Sequence, residues 1–363
     1  MSINEIIIWI MAIIMVIGAI DRSLGNKTGL GQQFEEGILA MGSLALSMAG
    51  IIVIAPKLSD WLSPIVVPLY KLLGADPAMF AGTLLANDMG GFFLAQQMTT
   101  DPLIRLFSGG ILGAMMGATI VFTIPVGLGI ISKEDTKYLA QGVLCGIVTI
   151  PIGALVAGIA MGMPIVKVFM NLIPIIAVAI LISIGLFKIP EGMIKGFNIF
   201  GKIIVAVAAI GLAIGGLDLL LGIKIFENQD TLEVGFQTVG GIAITLAGAY
   251  GLVFLITKLF KKPLMKLGHL LGMNDVAAAG LIASLANNIA MFQTVKGMDK
   301  RGKVINIAFA VSASFTFGDH LGFTAGVAPE LITPMIIGKL VGGISAILVA
   351  IFLSNRVFRI EQS

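Results

Sequence analysis

The chain has 363 residues, of which 57% are hydrophobic and 12% charged, and its mean hydropathy is +1.03. Soluble domains carry about 25% charged residues, so a soluble enzyme, a disordered chain and a nucleic-acid binder are excluded; the net charge of +3 lies in gaps between apolar runs, as in loops beside lipid headgroups. The composition predicts an all-α integral membrane protein in a lipid bilayer, a polytopic bundle of about 9–11 transmembrane segments forming a single domain over 1–363.

A span needs ~20 apolar residues to cross ~30 Å of hydrocarbon. Charge-free runs predict spans over 4–20, 37–56, 106–131, 138–160, 167–187, 199–221, 234–257, 303–325 and 333–353. Residues 58–74 and 259–272, each following a span and carrying Pro and Lys, read as amphipathic or interfacial. Two more apolar stretches, 76–98 and 275–296, have polar clusters at their middles, Asn87-Asp88-Met89-Gly90-Gly91 and Asn287-Asn288. They predict broken or re-entrant segments. No basic region and no A-x-A-like site marks a cleavable leader. Cys145 reads as a small packing residue, and His269, in an interfacial segment, as solvated. No metal site and no cofactor are expected.

An internal duplication is also expected. Leu72-Leu73-Gly74 recurs as Leu270-Leu271-Gly272, and Ala81-Gly82 as Ala279-Gly280. Ala86-Asn87-Asp88 faces Ala286-Asn287-Asn288. Gly142-x-x-x-Gly146 matches Gly338-x-x-x-Gly342, and Asp21-x-x-Leu24-Gly25 matches Asp218-x-x-Leu221-Gly222. Repeat one covers 1–160, a linker helix 161–198, and repeat two 199–356.

Charge counting favours re-entrant hairpins. Leaving out Lys339, which lies inside the last span, Lys and Arg divide evenly between the faces if all eleven stretches span, against the positive-inside rule. If 76–98 and 275–296 enter and leave on one face, the split is seventeen to five. The N-terminus is then outside and the C-terminus cytoplasmic. Five crossings separate the starts of the repeats, so the second is inverted, a plan recurrent in secondary transporters.

Asp88 is the leading candidate for chemistry. A carboxylate in an apolar segment costs about 2.5–3.5 kcal/mol on insertion scales, and it can bind a cation or cap the second half-helix. Asn87 stands beside it. Asn287 and Asn288 offer donors and acceptors without charge, for a ligand or for interhelical bonds. Gln33, Glu35 and Glu36 precede a span, where acids suit the helix dipole; a gate or entry site for a cation is the alternative. Asp319-His320 can hold a polar ligand or relay protons, or pair with a lysine such as Lys339. The glycines at spacing four, Gly109/Gly113/Gly117, Gly142/Gly146 and Gly338/Gly342, read as close helix packing. There is no H-E-x-x-H, no P-loop and no nucleophile elbow.

Several stretches resemble one family: Gln33-Phe-Glu-Glu-Gly37, Met79-Phe-Ala-Gly-Thr-Leu-Leu-Ala-Asn-Asp-Met-Gly-Gly-Phe-Phe-Leu94, Thr149-Ile-Pro-Ile-Gly153, Leu285-Ala-Asn-Asn-Ile289, Met298-Asp-Lys-Arg-Gly-Lys-Val-Ile-Asn306 and Gly318-Asp-His-Leu-Gly-Phe323. The chain is similar to the ethanolamine permease family of bacterial ethanolamine-utilisation operons over nearly its whole length. The resemblance implies a transporter in the bacterial cytoplasmic (inner) membrane, not an enzyme, that supplies ethanolamine to an ethanolamine ammonia-lyase, often in a microcompartment. It leaves energy coupling and homo-oligomer formation open. Ethanolamine, like the lysine side chain, is mostly a cation at neutral pH. The expected substrate-binding residues are Asp88, Asn87, Asn287, Asn288, Asp319 and Glu36, with Asp88 on the ammonium and Asn287 or Asn288 on the hydroxyl. Glu35, Gln33 and His320 are the gating or proton-relay candidates. A carrier of similar architecture for another small amine or amino acid is the alternative, followed by a channel or an intramembrane enzyme.

Overall fold

The computed structural model describes residues 1–360, and every regular element in them is helical. In chain order they are α1 (Ile3–Ser23), α2 (Leu30–Leu72), a short pair α3 (Met79–Leu84) and α4 (Gly91–Met98), α5 (Pro102–Ile130), α6 (Lys133–Ala160), α7 (Ile165–Lys188), α8 (Pro190–Leu221), α9 (Leu232–Leu270), a second short pair α10 (Asp275–Ala286) and α11 (Asn288–Thr294), the half-helices α12 (Lys300–Ala313) and α13 (Asp319–Val327), and α14 (Pro329–Leu353). Eight of these helices are long and apolar enough to cross a membrane, namely α1, α2, α5–α9 and α14. The exposed apolar side chains, such as Trp9, Ile13, Leu181 and Val205, suit lipid contact.

The stretch 58–74 does not form a separate segment. It continues α2, whose 43 residues reach about 65 Å at ~1.5 Å per residue, twice the hydrocarbon thickness. Pro56, Pro64 and Pro68 lie inside this helix. Residues 259–270 likewise extend α9.

Both polar stretches are hairpins. The Thr99 hydroxyl donates to the Asp76 carboxylate at 2.9 Å, so 76–98 enters and leaves at one point. At the second hairpin the Asn274 amide donates to the Gly297 carbonyl at 2.9 Å, and its backbone N–H donates to Asp299 at 2.8 Å. At the first tip, a tight turn over Asn87–Met89 ends on Gly90, whose φ of +87° is left-handed. At the second tip the extended Asn287 separates the helices, and its side chain caps α11 by accepting from Ile289 N–H at 2.7 Å.

The hairpins open on opposite faces. Asp101, beside the base of the first, caps the start of α5. Asp135 follows the far end of α5 and binds Lys303 at 2.5 Å, and Lys303 adjoins the base of the second. A spanning helix therefore lies between the two bases. Residue contacts on the first face agree: Asn4 donates to the Glu330 carbonyl at 3.0 Å, and Lys167 pairs with Asp101.

The stretch 303–325 departs from the expected continuous span. It divides into α12 and α13 around Phe315, whose φ is +62°. The backbone groups freed by this break are satisfied across the second hairpin. Phe315 N–H donates to the Ser284 carbonyl and Phe317 N–H to the Leu285 carbonyl, each at 3.0 Å. Asp319, the only charge inside 304–328, gave the apolar pattern little to register the break.

The glycine stripes are packing surfaces, as expected. A Cβ on Gly117 would stand 1.9 Å from the Leu85 carbonyl oxygen, and one on Gly109 would stand 2.6 Å from Phe92 Cα. The first hairpin therefore lies directly against α5, which is wound as wide π-turns over Leu106–Gly117. Gly142 and Gly146 receive Ile307 and Val311 in the same way.

Cysteines at exposed hairpin-base positions test this arrangement in a Cys145→Ala background. Lys71→Cys and Thr100→Cys are expected to react with an impermeant thiol reagent from one face, and Lys296→Cys from the other. Labelling of Thr100→Cys and Lys296→Cys from the same face contradicts it.

Candidate functional site

The three breaks meet at one cavity of about 350 Å³. The first hairpin contributes Ala86, Asp88 and Met89; the second contributes Asn287 and Ile289; the broken helix contributes Phe315, Asp319 and His320. The remaining wall comes from Ala40, Ser43, Leu44 and Ser47 of α2, Ala118 and Phe122 of α5, and Leu246 and Tyr250 of α9. At ~30 Å³ of liquid volume per water, the space holds a molecule of a few heavy atoms with several waters.

Both acids of the cavity stand at the start of a half-helix. Asp88 lies in the turn before α4, and Asp319 is the first residue of α13. Helix N-termini favour negative charge, which eases two carboxylates at membrane depth. The Tyr250 hydroxyl donates to Asp319. The Asp88 carboxylate receives no hydrogen bond from another residue among the described residues, which leaves it open to the cavity.

Asn287 keeps its amide nitrogen for the cavity, because its oxygen is used in capping α11. Its neighbour Asn288 is fully buried and donates to the Thr123 hydroxyl at 3.0 Å. Asn87 is also fully buried behind the tip, with no hydrogen-bond partner for its amide among the described residues. Neither Asn87 nor Asn288 lines the cavity, so of the asparagines expected to bind only Asn287 reaches it.

The acids before α2 divide. Glu35 is tied to Arg22 by two bonds of 2.9 and 3.1 Å. Glu36 accepts from Gln32 at 2.8 Å and is exposed, one turn outward of Ala40 on the stripe that continues through Ser43 and Ser47. That stripe sets Glu36 outside the cavity wall, towards the face where α2 begins. Gln33 does not line the cavity.

Sequence reasoning passed over Tyr250, Ser43, Ser47, Phe122 and Phe315. Tyr250 had a readable signal, being one of three tyrosines in the chain and at the middle of an apolar run. Lys339 was weighed only as an ion-pair partner. The lysine is 1% exposed and has no carboxylate within 4 Å among the described residues; its Nζ donates to the Ala114 carbonyl and lies 2.9 Å from His320 Nδ1.

A polytopic helical bundle with two opposed hairpins and a central cavity that holds two carboxylates is a multi-pass membrane protein of the permease class. The chain belongs to the EutH family: the family described as "Ethanolamine utilisation protein, EutH" matches residues 3–353. It is 64% identical to the probable ethanolamine permease EutH of Listeria monocytogenes, over 99% of this chain and 96% of that protein. It is 50% identical to the probable ethanolamine permease EutH of Escherichia coli, over 97% and 96%. An uncharacterised Bacillus subtilis protein, YxeR, is 49% identical over 95% and 94%. No solved structure matches the chain. The family is one of permeases, not of enzymes.

Gly90 sets the position of Asp88, since an added Cβ would stand 2.1 Å from Ile51 Cγ2 on a left-handed backbone. Gly90→Ala is expected to cost about 2–4 kcal/mol, combining strain and overpacking, and to lower the thermal unfolding midpoint in detergent. Gly129→Ala, with open space at its Cβ, is the matched control and is expected to leave the midpoint unchanged.

Proposed function

We propose that the chain carries ethanolamine across the bacterial cytoplasmic membrane, taking it up as the ammonium cation at the central cavity. The observation that carries this reading is the Asp88 carboxylate, open to the cavity at a hairpin tip and bonded to no other described residue. An ammonium supplies three donors, and Asp88 and Asp319 supply acceptors and opposite charge. The free amide nitrogen of Asn287 donates to the hydroxyl oxygen. Glu36, near the start of α2 on the cytoplasmic side of this topology, attracts the cation as it leaves the cavity. The relatives' printed names agree with this substrate.

The two hairpins supply the access route. Each reaches the cavity from its own face, so movement of one at a time opens the cavity to one side. Residues 1–160 and 199–356 are proposed as inverted repeats joined through 161–198. In support, Gly74 and Gly272 both have left-handed φ, of +70° and +74°, and Asp101 and Asp299 both cap helices. The excess of Lys and Arg on the face that holds Lys303 makes that face cytoplasmic and the N-terminus external. Ethanolamine delivered there feeds an intracellular ammonia-lyase step.

Transport is facilitated diffusion, or uptake coupled to ions through Asp319 and His320. Proteoliposomes separate these: labelled ethanolamine that only equilibrates marks a facilitator, and accumulation under an imposed gradient marks coupling. Competition by other small amines and amino acids tests the alternative substrate. Asp88→Asn is expected to lower uptake at least about tenfold at equal membrane protein, the loss of a charge-assisted bond. A wild-type rate in Asp88→Asn would remove Asp88 from the site.

A further inference from the structure

Lys339 touches neither acid of the cavity directly. Among the described residues it is the one buried lysine or arginine, set within an apolar helix that crosses the membrane. Its charge is compensated by no direct carboxylate contact. Both of its contacts are uncharged acceptor atoms, the Ala114 carbonyl in the wide-turn helix α5 and Nδ1 of His320. The lysine sits behind the cavity wall and His320 forms part of that wall, with its ring against Phe315 at 5.2 Å between centroids. His320 is therefore a bridge: one ring nitrogen is held by Lys339, and the other has no protein partner among the described residues.

The donors of the cavity are few. The Ser43 and Ser47 hydroxyls donate to the carbonyls of Ala40 and Leu44, at 2.9 and 3.3 Å. The Tyr250 hydroxyl is spent on Asp319. Ionised Asp88 and Asp319 only accept. That leaves the amide nitrogen of Asn287 and the imidazole of His320. An imidazole donates from one nitrogen only when neutral, and the bond made by the other nitrogen decides which. Two carboxylates in a low-dielectric cavity call for a buried cation, and an ammonium has donors alone, so Nδ1 accepts from it.

We propose that Lys339 is a positioning residue for substrate recognition: it holds His320 in the tautomer protonated on Nε2, so that His320 presents an N–H to the cavity for the hydroxyl oxygen of an amino alcohol. The inference rests on the proposed amine-binding site and adds its selectivity. The carboxylates bind any small ammonium, whereas the Nε2–H, with Asn287, distinguishes ethanolamine from an amine of the same charge without a hydroxyl. A buried donor left unpaired by such an amine is what makes the discrimination.

Two measurements test it. The chain has only two histidines, so 15N-histidine NMR of detergent-solubilised protein resolves His320, with His269→Asn to assign the other. The expected spectrum has His320 protonated on Nε2 and bare on Nδ1, and Lys339→Met shifts it towards a mixture of tautomers. A proton on Nδ1 in the wild-type protein overturns the proposal. In proteoliposomes, competition by ethylamine against labelled ethanolamine reads selectivity. Lys339→Met is expected to reduce the preference for ethanolamine about threefold to tenfold, the worth of one hydrogen bond. Lys339→Gln, which keeps an N–H for Nδ1, is expected to restore part of it. Equal selectivity in Lys339→Met and the wild type, or in Lys339→Met and Lys339→Gln, contradicts the positioning role. If the wild-type protein takes up neither amine, the transport reading fails, while the NMR result still decides whether Lys339 fixes the tautomer.

Discussion

Everything in this fold depends on how backbone polar groups are satisfied where helices break inside a membrane. Lipid offers no partners, so irregular backbone survives only when protein supplies them. Three segments break here, and they break together. The freed N–H groups of Phe315 and Phe317 reach the carbonyls of Ser284 and Leu285, beside the tip of the second hairpin. The first tip closes on itself, with Gly91 N–H donating to the Ala86 carbonyl at 2.9 Å. It is sealed by α5, whose glycines let Leu85 and Asn87 approach at backbone distance. The second hairpin and the broken helix thus serve one another, and the three breaks leave between them a space that holds two carboxylates.

The same clustering gives the cavity its chemistry. Ending helices at one point gathers their N-terminal partial charges, which suits Asp88 and Asp319. It also puts the acids where a small cation can replace water. Ion pairs nearer the surface have a different task. Lys167 with Asp101 ties α7 to the start of α5 on one face, and Lys303 with Asp135 ties α12 to the start of α6 on the other.

Much of this was legible in the sequence. The polar clusters at Asn87-Asp88 and Asn287-Asn288 marked the two tips because a charge or paired amides in a long apolar run are costly in lipid unless they face a polar space. The charge balance favoured hairpins because Lys and Arg report the faces of a membrane. The third break was hidden, since Ser314 to Gly318 contain no charge and the run from Val304 to Ala313 before them carries none either. Site membership was half legible. Sequence spacing treats Asn87 and Asn288 as equals of Asp88 and Asn287, yet neighbours in a turn point in different directions. Lys339 was the hardest case, because its role depends on a histidine nineteen residues away and on a carbonyl in α5.

The central claim is that a small amine sits between the hairpin tips. Protection of a cavity thiol tests it most directly. With Cys145 replaced, Ser47→Cys is expected to react with a small thiol reagent, and ethanolamine is expected to slow that reaction saturably while leaving Thr100→Cys untouched. Equal slowing at both positions, or none at Ser47→Cys at concentrations that saturate uptake, would contradict the account.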